Sequence, residues 1–588
     1  MIHVERGARW AALLLALLVT GKSHGEGQAE SLIRLVPPNA PMTVVIEDAK
    51  GNAERVLAST LVSKLREIPA VKAGLDSPQA DSLKDAAHKF QEKLGVSVED
   101  TWNGVLGDAV VLTSHRPKGA DLNSIRGMVL VHYRDREVLD RLIAGINKQQ
   151  EKQRQIGRIE ERTHEGVTYW LRQPRPDSSR PSEAYALLAD QVFVWANSES
   201  LVKDVIQREK TKSQSLWDRP EFQSVRGRLP KSSLLSAYLD PRFYEEIVRA
   251  DPKLKRPENK LAADFMLRYL STLNLMGGAL EWQSGREGQG DAIVLHTEED
   301  FDPDRAPAGL KQWSEQPATE PPLAQVPESA ILVASAQMDF VAIERGLRSL
   351  LPPDQENQVE HLRTILNGLL LGRDLTNDIL PNLGPGVLAY VQAKPSDRLR
   401  SAFSLIATVQ LKKAEKDGKS VGDALDNLIR SSLSALALQP KRKGGPAHLD
   451  TREVGDSKVT VLEPNPPFAY AVSDQWLTVG NSLDSLIQHL ESKQSANELL
   501  SKLRATYFPK SSTFVCLNVD GLKSFLEANR EQVVNRVASK NHRSRDRAEQ
   551  NVNQLFEVLG LFQNAYVAST ISPGPRSSHW SLGLVAKP

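Results

Sequence analysis

Cysteine is almost absent: Cys516 is the single one in 588 residues. That excludes an intrachain disulfide, a multi-cysteine zinc site and a cysteine-ligated iron–sulfur cluster. Net charge is just as scarce, with 74 Lys+Arg against 73 Asp+Glu leaving +1. So even a balance carries no global field to hold nucleic acid or an anionic membrane. The usual catalytic signatures are missing as well. The twelve histidines are scattered, and no His-Glu-x-x-His pair, Gly-x-Ser-x-Gly elbow or phosphate loop occurs. What remains is ordinary globular composition, 40% apolar and 25% charged, which excludes collagen-like and wholly disordered readings.

The N-terminus reads as a secretory signal over residues 1–25. Arg6 and Arg9 precede an apolar run at 10–20, which Lys22, His24 and Glu26 end abruptly. As a helix the run reaches about 16 Å, short of a bilayer core of about 30 Å. Small residues predict cleavage after Gly25, with Ala29 a second candidate. No cysteine follows to take a lipid anchor. The expected address is periplasmic or extracellular, in a bacterial envelope, with no transmembrane span in the mature chain. Cys516, inside an apolar run at 513–519, reads as a small hydrophobe in a central strand.

Self-similarity organises the rest. Leu94-Gly95 and Leu106-Gly107 recur as Leu371-Gly372 and Leu383-Gly384 at one constant separation. Ala184-Tyr185-Ala186 recurs as Ala469-Tyr470-Ala471, Asp190-Gln191 as Asp474-Gln475, and Asn197-Ser198 as Asn481-Ser482. Leu229-Pro230-Lys231-Ser232-Ser233 recurs as Phe508-Pro509-Lys510-Ser511-Ser512. The matches keep their order. They divide the chain into a module at 32–300, a Pro-rich extended linker at 301–322, and a second module at 323–588.

Each module predicts the same elements. A strand (42–47; 330–336) leads to an amphipathic helix ending at Gly95 or Gly372. A strand (108–112; 387–391), a strand–helix unit, two hairpins, a helix, a further strand leading into one or two helices, and a closing hairpin follow. Period-2 runs dominate, so the expected fold class is α+β: two tandem copies of a largely antiparallel sheet with helices packed on one face.

The repeated polar residues read as structural. Asp190-Gln191 suits a hairpin turn. Asn197-Ser198 and Asn481-Ser482 read as N-caps before first-turn acids, and Asp240 and Asp520 as caps where a strand opens into a helix. Gly107 and Gly384 suit a strand start that needs backbone freedom. Ser200-Leu201-Val202-Lys203 matches Ser-x-x-Lys but has no Lys-Thr-Gly partner. Asp300, Asp302 and Asp304 imitate the start of a calcium loop whose later positions, Arg305 and Lys311, break it. Gly455-Asp456-Ser457 is turn chemistry. The basic run 540–547 lacks interleaved aromatics and reads as a connection between helices. No catalytic, cofactor-binding or metal residue is assigned, and no cofactor is expected.

The opening Leu-Val-Pro-Pro-x-Ala (35–40) joins two further motifs, Pro220-Glu221-Phe222-Gln223 and Leu229-Pro230-Lys231 … Tyr238-Leu239-Asp240. With the export signal, they resemble a family of exported bacterial envelope proteins carrying a domain of unknown function. The resemblance implies address and architecture, and no activity comes with it. The leading expectation is a non-enzymatic binding or interaction module for an unknown envelope macromolecule. The alternatives are a periplasmic carrier of an apolar ligand such as a lipid, and a hydrolase with a site assembled from distant residues.

Overall fold

The structure, a computed structural model, describes residues 26–588 except 76–77, 116–124, 179, 286–288, 303, 306–325, 352–355, 394–402, 413–414, 417–418, 438–447, 456, 464–467, 474, 492–496, 510, 542–543 and 572–576. The expected signal and most of the expected linker lie outside the described residues, as do Asp456, Asp474 and Lys510. The chain forms two compact units. One holds the described residues up to Ala250 with Leu273–Asp300 and Ala586–Pro588. The other holds Asp251–Thr272 and Phe301–Val585.

The first unit's strands are β1 Met42–Ile46, β2 Val110–His115, β3 Arg126–His132, β4 Ile156–His164, β5 Val167–Pro174, β6 Glu183–Leu187, β7 Val192–Ala196, β8 Ser233–Leu239, β9 Leu273–Gln283 and β10 Ala292–Phe301. They run β4-β5-β6-β7-β3-β2-β1-β8-β9, antiparallel throughout, with β10 beside β9. Its helices are α1 Glu26–Ile33, α2 Ala49–Leu57, α3 Thr60–Glu67, α4 Pro69–Leu75, α5 Pro78–Leu94, α6 Arg136–Lys152, α7 Glu199–Thr211, α8 Pro220–Arg228 and α9 Pro241–Ala250.

The expected placement of helices on one face is corrected here: they cover both. Val111, Leu130 and Val194 are cross-strand partners, and so are Val110, Val131 and Phe193 one residue along. Successive side chains of a strand point to opposite faces. The first set packs with Leu32 and Ile33 of α1, Val202 and Ile206 of α7, and Phe222 and Val225 of α8. The second packs with Val138, Leu139 and Ile143 of α6, flanked by Phe90 and Leu94 of α5. The physical reason is that β2, β3, β6 and β7 are apolar at consecutive positions rather than alternate ones, which demands two covering layers. Each such aliphatic or aromatic side chain, fully buried, contributes about 1.5–3 kcal/mol.

The second unit carries β11 Ala330–Gln337, β12 Leu383–Ala393, β13 Phe403–Leu411, a small ribbon of β14 Glu415–Lys416 and β15 Lys419–Ser420, β16 His448–Val454, β17 Ser457–Glu463, β18 Phe468–Val472, β19 Trp476–Gly480, β20 Thr513–Asn518, β21 Phe562–Ile571 and β22 Ser577–Ala586. Its sheet runs β16-β17-β18-β19-β13-β12-β11-β20-β21, again antiparallel. β22 lies against β21, because a β-carbon on Gly583 would meet the Tyr566 ring at 2.2 Å. The helices are α10 Pro257–Ser271, α11 Phe340–Leu350, α12 Glu356–Leu369, α13 Val421–Ala437, α14 Leu483–Glu491, α15 Glu498–Tyr507, α16 Val519–Ala528, α17 Arg530–Asn541 and α18 Arg545–Leu559. Here too helices take both faces. α13 packs on Leu462, Tyr470 and Val479, whereas Leu486 of α14 lies beside Gly480, the partner of Ile406.

The repeated polar residues settle into local roles. Asp190 and Gln191 take positive φ of 52° and 60° at the centre of the four-residue connection between β6 and β7, where Val192 N donates to the Ala189 carbonyl at 3.2 Å, the geometry a tight hairpin requires. Gly107 is helical at φ −72°. Space rather than torsion demands glycine there, because a β-carbon would meet the Trp102 carbonyl oxygen at 2.9 Å. Asn518, not Asp520, caps α16 by accepting from Gly521 N.

Asn197 does not cap α7. Its Oδ1 accepts from Gly127 N at 2.7 Å, and its own N–H donates to the Gly127 carbonyl at 3.1 Å. Asn481 does the same to Leu405, accepting at 2.9 Å and donating at 3.2 Å. Each asparagine thus adds one more rung to the β3–β7 or β13–β19 ladder. Ser198, which precedes α7, makes no side-chain capping bond. One lost hydrogen bond to a half-buried amide costs about 0.5–1.5 kcal/mol. Asn197→Ala should therefore lower stability by about 1 kcal/mol in urea unfolding, Asn481→Ala, which also loses a bond to the Phe403 carbonyl, at least as much, and Ser198→Ala, which loses only partly exposed contacts with Arg126 and Ser200, less than either. Equal losses from Asn197→Ala and Ser198→Ala would restore the capping role.

Candidate functional site

A cavity of about 370 Å³ opens in the first unit, lined among others by Glu30, Glu47, Trp217, Gln223, Arg226, Lys231, Ser236 and Tyr238. It falls at the small end of ligand pockets, about 300–1,000 Å³. The fold explains why it lies there. Val45 pairs with Ser236 and Thr43 with Tyr238, so these side chains and that of Glu47, which follows β1, share the face covered by α1 and α8. Leucine or valine at these places would have closed the core. Polar groups on the sheet and a cation on the helix hold it open.

α8 begins at Pro220 with Glu221 in its first turn and carries Arg226 and Arg228 in its last, the charge order that suits the helix dipole. Arg228 fixes the helix to β10 through Glu298 at 2.8 Å and Asp300 at 3.4 Å. Arg226 turns inward and meets Glu47 at 2.7 Å. Its guanidinium lies 5.3 Å from the centre of the Trp217 ring, as does that of Arg34, within range for cation–π attraction. Burial disfavours the Arg226 charge, but Tyr238 and Glu47 more than offset it and hold the guanidinium's pKa above its ordinary value. Burial likewise pushes the Tyr238 phenol up. Ser236, 3% exposed, has a hydroxyl with no partner in hydrogen-bonding geometry. Glu30 is held by Arg34 at 2.7 Å. Two carboxylates and two cations therefore line the cavity, and both carboxylates are already matched by arginines.

Gln223, Leu229, Pro230, Lys231 and Tyr238 belong to the motifs singled out in the sequence, and all line this cavity. Glu47, Trp217, Arg226 and Ser236 had no sequence signal beyond their types.

Other titratable clusters serve structure. Asp108 binds His132 at 3.3 Å and also Arg134. Lys203 pairs with Glu199 at 3.0 Å while Ser200 takes a hydrogen bond from Arg126, so the Ser-x-x-Lys pair is not assembled. Asp300 is held by Arg228, Ser224 and Asn274, and Asp302 by Arg305. Cys516 is buried in β20, and burial pushes its thiol up to about 12, far from a reactive thiolate. Among the described residues no group of three His, Cys, Asp or Glu is placed to hold a metal ion. None of the described helices is long and apolar enough to cross a membrane.

The second unit presents an apolar strip instead. Leu332 and Ala334 of β11 are flanked by Leu517 and Val515 of β20 and by Val391 and Ala389 of β12, and Leu405 extends the row on β13. Trp580 and Leu582 lie on the same face, opposite Gly583. Leu405, Val515, Trp580 and Leu582 are exposed.

Comparison with family models, with curated proteins and with solved structures finds no match to this chain.

Glu199 offers a direct test of the electrostatics. Burial raises its pKa, but hydrogen bonds from Tyr169, Lys203 and Arg162 outweigh that and bring it to about 2 from 4.5. A carboxyl depressed in the folded state stabilises above its unfolded value and loses that contribution as pH falls through the folded one. Between pH 4.5 and 2 the wild type should lose stability more steeply than Glu199→Gln in urea titrations. Parallel curves would show that the network does not hold the charge.

Proposed function

We propose that the chain is a non-enzymatic binding protein exported to the bacterial envelope, built from two tandem copies of one α+β module. The binding reading rests on the cavity of the first unit, whose walls are hydroxyls, an indole and matched ion pairs, with no histidine or cysteine. Hydrolysis by a nucleophile would need a base beside Ser233 or Ser236, and no imidazole lines that wall. The polar lining gives no support to a carrier of apolar ligands. The exposed strip of Leu405, Val515, Trp580 and Leu582 supports a macromolecular partner, as exposed apolar patches do.

Two observations support duplication. Counted from its own first strand, with the β14–β15 ribbon left out, the second sheet follows the same pairing order as the first. Asn197 and Asn481 also extend corresponding ladders in the same way. The resemblance to exported envelope proteins fits the leader, and the core favours one cleavage site over the other. Ala29 is fully buried in α1 with Leu32 and Ile33, so cutting after Ala29 would open a helix that the core uses, whereas cutting after Gly25 leaves it whole.

The mature chain should therefore begin at Glu26. N-terminal sequencing of protein recovered from fractionated native cells checks this. Recovery in the envelope fraction with that terminus is the expected result. A cytosolic chain retaining Trp10 would overturn the export reading, and substrate turnover lost on substitution of Arg226 would overturn the non-enzymatic one.

A further inference from the structure

We infer that the first unit's cavity takes a neutral polyhydroxylated ligand, a mono- or disaccharide. This deepens the binding reading above and rests on it.

Charge selects the class. Arg226 is matched by Glu47 at 2.7 Å and Glu30 by Arg34 at 2.7 Å. An anionic ligand would have to compete with Glu47 for Arg226 and would then face the displaced carboxylate. A cationic ligand meets the mirror problem. Breaking the largely buried Arg226–Glu47 pair is costly because it leaves one charge without its counterion, whereas the exposed Glu30–Arg34 pair adds little to this selection. A hydroxyl avoids this, since it donates and accepts at once. It can give its hydrogen to Glu47 and take one from Arg226 without separating them, and vicinal hydroxyls can do so side by side.

The remaining walls agree. Ser236 brings a hydroxyl that is 3% exposed, interacts with the Tyr238 phenol and keeps hydrogen-bonding capacity to spare; a buried polar atom is costly unless something bonds it. Tyr238, 2% exposed, adds a phenol, and Ser233 another hydroxyl at the same wall. Donors and acceptors of both kinds are thus mixed, as a sugar ring requires. Leu229 and Pro230 add apolar surface at the same wall, while the Trp217 ring is taken up by the Arg34 and Arg226 guanidiniums. Lys231 is exposed, so its ammonium adds little field inside.

The test is saturation-transfer NMR and calorimetry on the full mature chain. The probes are glucose, N-acetylglucosamine, maltose, cellobiose and chitobiose, with glucuronate as the anionic and glucosamine as the cationic counterpart. We expect at least one neutral sugar to bind, and its charged counterpart to bind at least tenfold more weakly. Ser236→Ala should weaken the neutral sugar by about two- to tenfold, the loss of one hydrogen bond, with unfolding unchanged. Tyr238→Phe is the second variant, should Ser236→Ala alter folding. No binding of any neutral sugar up to 10 mM (roughly 3 kcal/mol of affinity,) would overturn the inference. So would tighter binding of glucuronate than of glucose, although that result would leave the binding reading intact. Cleavage of a disaccharide probe would keep the ligand class and overturn the non-enzymatic reading.

Discussion

Leu130 and Val131 are neighbours in β3, and each must be buried on a different face of the sheet. The rest of the first unit follows from that demand. α1, α7 and α8 cover one face and α5 with α6 the other. Strands β6, β7, β3 and β2, apolar at consecutive positions, form the part of the sheet with two layers. Toward β1 and β8 the pattern changes, since Thr43, Ser236 and Tyr238 occupy the face that α1 and α8 cover. A helix cannot pack there on aliphatic side chains alone. Arg226 meets Glu47 instead, and the volume left beside this pair is the cavity. The site is thus a consequence of where the two-sided core stops.

Much of this fold is legible in the sequence. Alternation and turn residues locate the hairpins, and helical spacing locates α5, α6, α12 and α13. Two features were less so, for physical reasons. The second layer of helices is hidden because alternation in some strands, such as β1 and β9, reads as a sheet with one wet face. The role of Asn197 is hidden because asparagine before a helix ordinarily caps it. Here the Gly127 amide, brought alongside only by the tertiary fold, offers a better donor.

The cavity was legible only in part. Gln223, Leu229, Pro230, Lys231 and Tyr238 stood out as a motif but looked structural, since each has a plausible role in a helix or strand. Glu47, Trp217 and Ser236 are far apart in sequence and belong to different elements. Their convergence depends on β1 pairing with β8, a long-range contact that no local pattern encodes. The convergence of these residues on one cavity is therefore visible only with β8 set against β1 and α8 laid over both.

The central claim is that Glu47 and Arg226 form a matched pair that keeps the cavity electrically balanced. A double-mutant cycle of Glu47→Gln and Arg226→Met, read by urea unfolding, tests it most directly. Each single substitution leaves a partly buried group without its counterpart, so each should be clearly destabilising, whereas the double should lose less than the sum. A coupling of about 1–3 kcal/mol is the size expected for residues in direct contact. Losses that simply add would contradict the account, because they would mean that the two charges do not depend on each other.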